Sequence, residues 1–289
     1  MVQPKNLYSP SEKIILGSWI FGNKHWTNVN DKESIELIHF ANQEYGIKRI
    51  DTAPIYGNGH AETIIKQAIS HNRDNYQIFS KCGLTINPKG ISHNLSPKAI
   101  EEDLNQTLSR LGSDYLDILF FHWPDPKVPL EISLETAFKL QKKGKILAIG
   151  LSNFPAEEIL KAKKAYNLEY VQIQYSLLNT NTYNNIQLLH NEGLKVFAYG
   201  TLHGGLLTTK AYENYPRAFP KSAKNFFYHH NDPLIKEKYF KLVKDLPPKK
   251  TFNLSAYAIT ETLKIKELNS IILGCRNIKQ LNENLSNPY

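Results

Sequence analysis

Cysteine is scarce in this sequence. Only Cys82 and Cys275 occur among its 289 residues, and they stand far apart. A small secreted protein held by disulfide bonds carries a much higher density of cysteine, at paired spacings. The sequence therefore argues against a disulfide framework, and we expect a protein of the reducing cytoplasm.

Long apolar runs are also missing. A helix needs about 20 consecutive, mainly apolar residues to cross a membrane, and no stretch of this sequence approaches that length. Residues 1–6 lack the apolar core that a secretory signal requires. We therefore expect no membrane association.

The basic residues form no cluster. The 35 Lys and Arg residues outnumber the 27 Asp and Glu residues, which gives a formal net charge of +8, but they are spread along the whole chain. Nucleic-acid binding usually shows an arginine-rich block or a basic stripe interleaved with aromatic residues. We expect no nucleic-acid partner, and the charge fits either a lysine-rich surface or a phosphate-bearing ligand.

Strand and helix patterns alternate along the chain. Short apolar runs, typical of strands buried on both faces, occur eight times, and helically spaced apolar residues follow them. Strands are predicted at 13–17, 47–50, 76–81, 115–121, 146–151, 170–174, 195–199 and 270–273, and helices at 31–45, 61–69, 97–111, 134–141, 156–165, 184–191, 254–263 and 278–285. We expect Asp31 to cap the first of these helices, and we expect long loops at 84–95 and 200–230. The alternation predicts an α/β fold, a (β/α)8 TIM barrel, with residues 1–289 as a single domain.

Polar side chains stand at the ends of three successive predicted strands. Asp51, Lys81 and His122 occupy these ends, and Tyr56 lies five residues after Asp51 in the following loop. Each residue alone has an ordinary explanation, such as a surface turn, a solvated lysine or a strand cap. Because parallel strands bring their carboxyl ends to one rim, where barrels carry out chemistry, the recurrence favours a shared catalytic site.

These residue types suit proton transfer. A phenol keeps its proton up to a pKa of about 10 and is a weak acid at neutral pH. A neighbouring ammonium would lower that pKa, and an aspartate would keep the lysine charged and in place. Asp51, Lys81 and Tyr56 together therefore predict a proton donor to an oxyanion, and His122 is suited to orient a carbonyl oxygen.

The sequence shows no redox group of its own, such as a cysteine pair or a metal cage, so a hydride must come from a bound cofactor. Segment 57–62 only partly resembles a dinucleotide-binding glycine loop, because the third glycine is missing and the acid at position 51 precedes it. This argues against a Rossmann fold. The loops after the seventh and eighth strands suit a phosphate better, since Gly204-Gly205 and Gly274-Cys275-Arg276 offer close backbone approach and a cation.

Several motifs occur in the order found in one known family. They are Asp51-Thr52-Ala53-x-x-Tyr56-Gly57, Ser80-Lys81, Phe121-His122-Trp123-Pro124, Gly150-Leu151-Ser152-Asn153-Phe154 and Gly274-Cys275-Arg276-Asn277. On these motifs, which cover nearly the whole chain, the sequence resembles an aldo-keto reductase. The resemblance implies a (β/α)8 barrel that binds NADPH, or less often NADH, in an extended pose and reduces a small-molecule carbonyl substrate.

The resemblance also implies roles for individual residues. Asp51, Tyr56, Lys81 and His122 match the catalytic tetrad, with Tyr56 as the acid–base residue. The positions that match cofactor contacts are Gly17, Ser18 and Trp19 at the wall of the nicotinamide and substrate, Ser152, Asn153 and Gln172 at the carboxamide, Tyr199 stacked on the nicotinamide, Gly200 and Leu202 at the pyrophosphate, and Gly274, Arg276, Gln280 and Asn284 at the adenosine end.

Two departures from the family pattern affect the cofactor. Gly200 replaces a common serine, and Gly274 replaces a lysine that some branches place on the 2′-phosphate. A preference for NADPH is therefore expected to depend mainly on Arg276. With Trp19, Phe21 and Trp123 nearby, the pocket is expected to be partly aromatic, which suits an aldehyde or ketone with some apolar body.

Three functions remain open at this point. The first is NADPH-dependent reduction of an aldehyde or ketone to an alcohol. The second is an NADP(H)-binding auxiliary or sensor subunit with little turnover. The third is an aldolase with Lys81 as a Schiff base, which an aspartate partner disfavours because it keeps the lysine protonated. We expect no metal site, since the stretch Tyr228-His229-His230-Asn231 is typical of an exposed loop, and we expect a monomer.

Overall fold

Eight parallel strands close into a barrel. The computed structural model describes residues 9–21, 30–88, 90–214, 230–248 and 251–289. The strands are, in chain order, β1 (Ile14–Gly17), β2 (Arg49–Asp51), β3 (Gln77–Cys82), β4 (Leu84–Asn87), β5 (Gly90–His93), β6 (Leu116–Phe121), β7 (Ile146–Ser152), β8 (Tyr170–Gln174), β9 (Lys195–Tyr199) and β10 (Ser270–Gly274). All of them except β4 and β5 form the barrel, in the order β1-β10-β9-β8-β7-β6-β3-β2. The predicted (β/α)8 architecture is confirmed.

Helices pack around the outside of the barrel. They are α1 (Pro10–Lys13), α2 (Asp31–Tyr45), α3 (His60–Ile69), α4 (Pro97–Leu111), α5 (Leu130–Lys142), α6 (Ala156–Ala165), α7 (Tyr183–Asn191), α8 (Thr209–Glu213), α9 (Pro233–Lys244), α10 (Leu254–Leu263) and α11 (Ile278–Asn284). The apolar faces of most of them join the outward-facing strand residues in one buried cluster. Within the described ranges, no helix has both the length and the apolar character that a membrane span requires.

The start of α2 differs from the prediction by one residue. Asn30, not Asp31, is the N-cap, because its side-chain oxygen accepts the backbone N–H of Glu33 at 3.1 Å. Asp31 instead lies in the first turn, where the helix dipole favours a carboxylate. Its two oxygens each lie 3.0 Å from Nε2 of His60, the first residue of α3.

Two predicted loops contain regular structure. Strands β4 and β5 pair in antiparallel fashion, with Ile86 opposite Ile91 and both of these side chains exposed. The described part of the 200–230 loop contains a 3-10 turn at His203–Gly205 and the short helix α8. Helix α9 follows on, capped by Asp232 and opened by a proline.

The register of the strands sets the rim of the barrel. Asp51 pairs with Phe79 across β2 and β3, and Cys82 pairs with Phe121 across β3 and β6. Side chains two residues apart on a strand share a face. Lys81 therefore projects on the same side of β3 as Phe79 and lies two residues nearer the carboxyl end. His122 directly follows β6, and its backbone N–H donates to the carbonyl of Cys82 at 3.1 Å. The three predicted strand-end residues therefore reach the same edge.

Aromatic side chains fill the barrel interior below this rim. Phe79 and Phe197 stack with ring centroids 5.9 Å apart, and Phe120 lies tilted against Phe197 at 6.5 Å. A Cβ atom added at Gly150 would lie 2.2 Å from the Phe120 ring, so this filling requires glycine there. The interior is a packed core, and the open end is the carboxyl-terminal rim.

Candidate active site

Lys81 is the centre of a buried polar cluster. Its Nζ donates to Oδ2 of Asp51 at 2.7 Å, to the carbonyl oxygen of Thr52 at 2.7 Å and to the hydroxyl of Tyr56 at 3.1 Å. Lys81 and Asp51 are each 3% exposed, so the charge on the ammonium is compensated inside the protein and not by water. All three protons of the ammonium have an acceptor, which fixes the position of Nζ.

Tyr56 stands between Lys81 and two other rings. Its ring centroid lies 6.1 Å from that of His122, edge to face, and 6.4 Å from that of Trp19. The ammonium of Lys81 also lies 4.8 Å from the centre of the Tyr56 ring. The structure thus brings together all four residues predicted as the tetrad.

Burial controls the protonation of this cluster, and one expectation from the sequence is wrong. The pKa of Tyr56 is raised well above its ordinary value, first by burial and second by the Asp51 carboxylate. The sequence predicts the opposite direction, a pKa lowered by the adjacent ammonium. The contact with Lys81 is present, but removing the phenol from water disfavours the phenolate, and Asp51 offsets the positive field.

Lys81 and His122 also respond to burial. Burial lowers the pKa of Lys81, while the nearby Asp51 raises it and so opposes the loss of the proton. The pKa of His122 is held well below its ordinary value by burial, then by the charges of Lys81 and His93. His122 is therefore a neutral imidazole at physiological pH and can donate a hydrogen bond from one ring nitrogen.

Gln172 binds the other side of the aspartate. Its Nε2 donates to Oδ1 of Asp51 at 2.6 Å, and Gln172 is 1% exposed. The Asp51 carboxylate therefore has a partner on each oxygen. Gln172 was predicted as a ligand of the nicotinamide carboxamide, and its Oε1 can still accept from another group, while the second N–H of its Nε2 can still donate to one.

Asn153 joins the ends of three strands. Its Nδ2 donates to the carbonyl of His122 at 2.9 Å and to Oγ of Ser152 at 3.1 Å, while its Oδ1 accepts from the hydroxyl of Tyr199. The backbone at Asn153 is left-handed, with φ of 65°, a conformation that asparagine tolerates better than most residues. The structure thus places Ser152, Asn153 and Tyr199 together, beside His122.

The loop after β1 borders the same cluster. Ser18 stands between Gly17 and Trp19 in this loop, and its backbone N–H donates to the carbonyl of Asp51 at 2.9 Å. Buried hydroxyl oxygens without a hydrogen-bond partner among the described residues occur at three strand ends of the rim: Ser18 after β1, Thr52 after β2 and Thr201 after β9. Buried hydroxyls are normally satisfied, so this edge offers unused hydrogen-bonding capacity to a polar ligand.

The loop after β9 is strongly turned. Gly200, His203, Gly204 and Gly205 all have positive φ, at 73°, 47°, 62° and 104°. Leu202, the predicted pyrophosphate contact, lies inside this turn, and its carbonyl accepts the N–H of Gly205 at 2.9 Å. The fold thus holds the loop by its own hydrogen bonds.

The histidine stretch 228–231 needs one correction. His230 is 1% exposed and its Nε2 lies 2.8 Å from the carbonyl oxygen of His203, so it is not part of an exposed loop. Tyr228 and His229 lie outside the described residues. Across the described ranges, no group of three His, Cys, Asp or Glu side chains is arranged to hold a metal ion.

The predicted adenosine end lies around α11. Oε1 of Gln280 accepts the backbone N–H of Arg276 at 2.9 Å, and Nδ2 of Asn284 donates to Sγ of Cys275 at 3.3 Å. Asn284 is 5% exposed, so its side chain supports the turn after Gly274. Arg276 is half-buried, and its guanidinium makes no ion pair within the described residues.

Comparison with known proteins identifies the family. The sequence model of the Aldo/keto reductase family matches residues 13–287. The chain belongs to the aldo/keto reductase family. As a member of this family it is an oxidoreductase, so the predicted family and class of enzyme are confirmed.

Individual relatives agree with this assignment. The chain is 35% identical to the aldo-keto reductase YhdN of Bacillus subtilis over 208 residues, which cover 71% of this chain and 62% of that one. It is 30% identical to the NADH-specific methylglyoxal reductase of Escherichia coli over 288 residues, which cover 94% of this chain and 88% of that one. In structure it is similar to the glycerol dehydrogenase AKR11B4 from Gluconobacter oxydans, with a TM-score of 0.80, 28% identity, and coverage of 94% of this chain and 85% of that one.

Three features of the site of this aldo/keto reductase were not visible in its sequence. The carbonyl of Thr52 is a main-chain acceptor, which the sequence pattern does not mark. The bond from Gln172 to Asp51 joins residues 121 positions apart. The buried hydroxyl of Thr201 lies next to Leu202, and its signal in the sequence is only a small polar residue in a glycine-rich loop.

Proposed function

We propose that this aldo/keto reductase reduces an aldehyde or ketone to an alcohol, with a nicotinamide cofactor as hydride source and Tyr56 as proton donor. The observation that carries the proposal is the contact of Lys81 Nζ with both Asp51 and the Tyr56 hydroxyl, beside His122. A proton donor, the cation that stabilises its conjugate base and a neutral hydrogen-bond donor are thus held within one small volume. When bound, the nicotinamide supplies the hydride.

Each residue of the tetrad then has a distinct role. Tyr56 keeps its proton at neutral pH, because burial and Asp51 raise its pKa, and it gives the proton to the carbonyl oxygen as that oxygen becomes an alkoxide. The Lys81 ammonium stabilises the resulting phenolate. Asp51 holds Lys81 charged and in place, and neutral His122 orients the carbonyl oxygen.

The cofactor residues fit a nicotinamide amide. Asn153 and Gln172 present side-chain amides beside the tetrad, and the partnerless hydroxyls of Ser18 and Thr201 are available for further hydrogen bonds. Tyr199, held by its bond to Asn153, presents an aromatic ring for stacking. We propose NADPH, with NADH as the alternative, because the half-buried Arg276 is the cation best placed for a 2′-phosphate.

The substrate side of the site is aromatic. Trp19 lies against Tyr56, and Trp123, next to His122, is 39% exposed. Two relatives are named for methylglyoxal reduction and for glycerol dehydrogenation. We therefore propose a small carbonyl compound with some apolar body. We further propose that residues 1–289 act as a single-domain cytoplasmic monomer, without a nucleic-acid or membrane partner.

A reductase and an aldolase make different demands on Lys81. A Schiff base requires an unprotonated amine with a free face. Here Nζ donates to three acceptors, one of them a carboxylate. This arrangement supports the reductase and disfavours the aldolase.

Steady-state oxidation of NADPH, and separately of NADH, over a panel of aldehydes, ketones and sugars tests the proposal. Tyr56→Phe is expected to abolish turnover and to leave cofactor binding nearly intact, as read by nicotinamide fluorescence. Full activity in that variant would end the proposal. Tight NADP(H) binding by the wild type with negligible turnover across the panel would instead favour the auxiliary or sensor role.

A further inference from the structure

The loop that carries Tyr56 has an unusual backbone. Gly57, Asn58 and Gly59, the three residues between Tyr56 and helix α3, all have positive φ, at 60°, 54° and 86°. Glycine adopts a left-handed conformation freely and asparagine tolerates it, and residues this permissive leave a loop free to take other conformations unless it is packed. The position of Tyr56 therefore depends on what packs against this loop.

Arg110 of helix α4 packs against it. A Cβ atom added at Gly59 would lie 2.6 Å from Cδ of Arg110, which shows that the arginine stem lies directly on the glycine. Nε of the same arginine donates to Oε2 of Glu62 in the first turn of α3. Arg110 thus covers the loop and is tied to the helix that follows it.

Glu62 connects this assembly to the strand that carries Lys81. It is completely buried, and its Oε1 accepts from Oγ of Ser80 at 3.1 Å and from Oγ1 of Thr107 at 2.9 Å. Ser80 immediately precedes Lys81 on β3, and neighbouring strand residues point to opposite faces. Glu62 therefore binds the outer face of the strand whose inner face presents the ammonium.

We propose that Glu62, together with Arg110, is a positioning residue for proton transfer: one buried carboxylate fixes the loop of Tyr56 relative to the strand of Lys81. This inference rests on the proposed reductase function and assigns to it a residue on the far side of β3. The distance that it maintains is the 3.1 Å between Lys81 Nζ and the Tyr56 hydroxyl. A displacement of a catalytic group by about 1 Å can cost on the order of 100-fold in rate.

The charge of Glu62 also reaches Lys81. The carboxylate helps to raise the pKa of Lys81, after the larger effect of Asp51 and against the effect of burial. The other titratable or charged groups near this pair are Asp51, Tyr56 and His122 at Lys81, and Arg110 and Asp103 at Glu62. Phenolate stabilisation needs the protonated lysine, so activity falls as the pH rises through the pKa of Lys81. Loss of the charge at position 62 lowers that pKa and moves the alkaline limb to lower pH.

The test is the variant Glu62→Gln in the full-length chain. We expect kcat to fall by about 10- to 100-fold, with the alkaline limb of its pH profile shifted to lower pH and the Kd for NADPH little changed. Ser80→Ala removes only the link to the strand, and we expect a smaller loss of kcat, about 3- to 10-fold. If Glu62→Gln does not fold, the kcat of Ser80→Ala decides the matter.

The pair Arg73–Asp117 supplies a matched control. Its guanidinium nitrogen and carboxylate oxygen lie 2.9 Å apart and both side chains are mostly buried. Asp117 also binds β3, through the backbone N–H of Ile78 at 2.8 Å, but at the amino end of the strand. Asp117→Asn is expected to lower the melting temperature while kcat and its alkaline limb stay unchanged.

The outcomes separate the two proposals. A wild-type chain that reduces no carbonyl compound overturns the proposed function, and the positioning role with it. An active wild type whose Glu62→Gln and Ser80→Ala variants both keep its kcat and its alkaline limb overturns the positioning role alone. A matching shift of the limb in Asp117→Asn would also overturn it, because the effect would then be a general loss of stability.

Discussion

The side-chain amide of Gln172 donates to Oδ1 of Asp51 over 2.6 Å, on the carboxylate oxygen that does not contact Lys81. The residue predicted to hold the nicotinamide is therefore also a partner of the aspartate that holds the catalytic lysine. We therefore propose that cofactor binding and the geometry of the proton donor are joined at this single amide.

Gln172→Ala is expected to impair both functions at once. Removing the amide leaves a buried carboxylate oxygen without a donor, which costs about 1–3 kcal/mol. We expect kcat to fall by about 10-fold or more and the Kd for NADPH to rise, in steady-state assays and fluorescence titrations. Gln141→Ala, on helix α5 outside the barrel, where the amide donates to the carbonyl of Leu147, is the control and should change neither. A Gln172→Ala variant with weakened cofactor binding and the kcat of the wild type would show that the contact with Asp51 has no catalytic consequence.

Lys81→Met is expected to lose both activity and stability. The variant leaves the Asp51 carboxylate buried without its cation, and breaking a buried ion pair in this way costs about 3–5 kcal/mol. We expect kcat to fall by at least about 100-fold, and the midpoint of urea unfolding to drop. The double variant Asp51→Leu/Lys81→Met should recover much of the stability and none of the activity. Recovery of turnover in the double variant would contradict the assigned role of the lysine.

The neutral state of His122 predicts a dependence of stability on pH. Burial, followed by the charges of Lys81 and His93, holds the pKa of His122 in the folded state well below its ordinary value. Below a pH of about 6.5, this histidine is therefore protonated in the unfolded chain while it is still neutral in the folded chain. The free energy of unfolding should therefore decrease as the pH falls, by up to about 1.4 kcal/mol per pH unit for this one residue. When the pH is lowered from about 7 to about 5, the midpoint of urea unfolding should decrease less in His122→Gln than in the wild type. The same replacement at exposed His71 is the control, and parallel curves for the wild type and His122→Gln would refute the prediction.

Arg276→Met is expected to separate the two cofactors. A guanidinium on the 2′-phosphate contributes charge-assisted hydrogen bonds, and their loss should raise the KM for NADPH by about 10- to 100-fold. The KM for NADH should change little, because NADH lacks that phosphate. Lys279→Met, at an exposed position of α11, controls for the general loss of a positive charge. Equal changes for both cofactors would remove Arg276 from the phosphate site.

The barrel could be predicted because its signals are local. A strand buried on both faces shows as a short apolar run, so the residues that end it can be read directly, as at Asp51, Lys81 and His122. The antiparallel pair β4–β5 was missed because its two strands are only four residues each and lie around a proline and a glycine. Asn30 was missed as a cap because Asp31, beside it, is an equally good capping residue.

The finer properties of the site depend on packing between distant segments. The direction of the pKa shift at Tyr56 follows from burial, which no spacing of polar residues reveals. The attachment of Glu62 to Ser80 and Arg110 requires α3, β3 and α4 to pack together. The sequence therefore indicates which residues meet at the rim, while their protonation states and supporting contacts are properties of the folded chain.

The two cysteines of the chain are both free and buried, one near each part of the site. Cys82 ends β3, where its carbonyl oxygen accepts the backbone N–H of His122, and burial, with a smaller effect of Asp103, raises the pKa of its thiol well above the ordinary value. Cys275 lies at the turn after β10, where burial raises its pKa to about 12. Either sulfur can react as a thiolate only after local unfolding exposes it to water. Alkylation rates at these two thiols would therefore report, separately, the opening of the helix layer packed on the outside of β3 and the opening of the α11 turn.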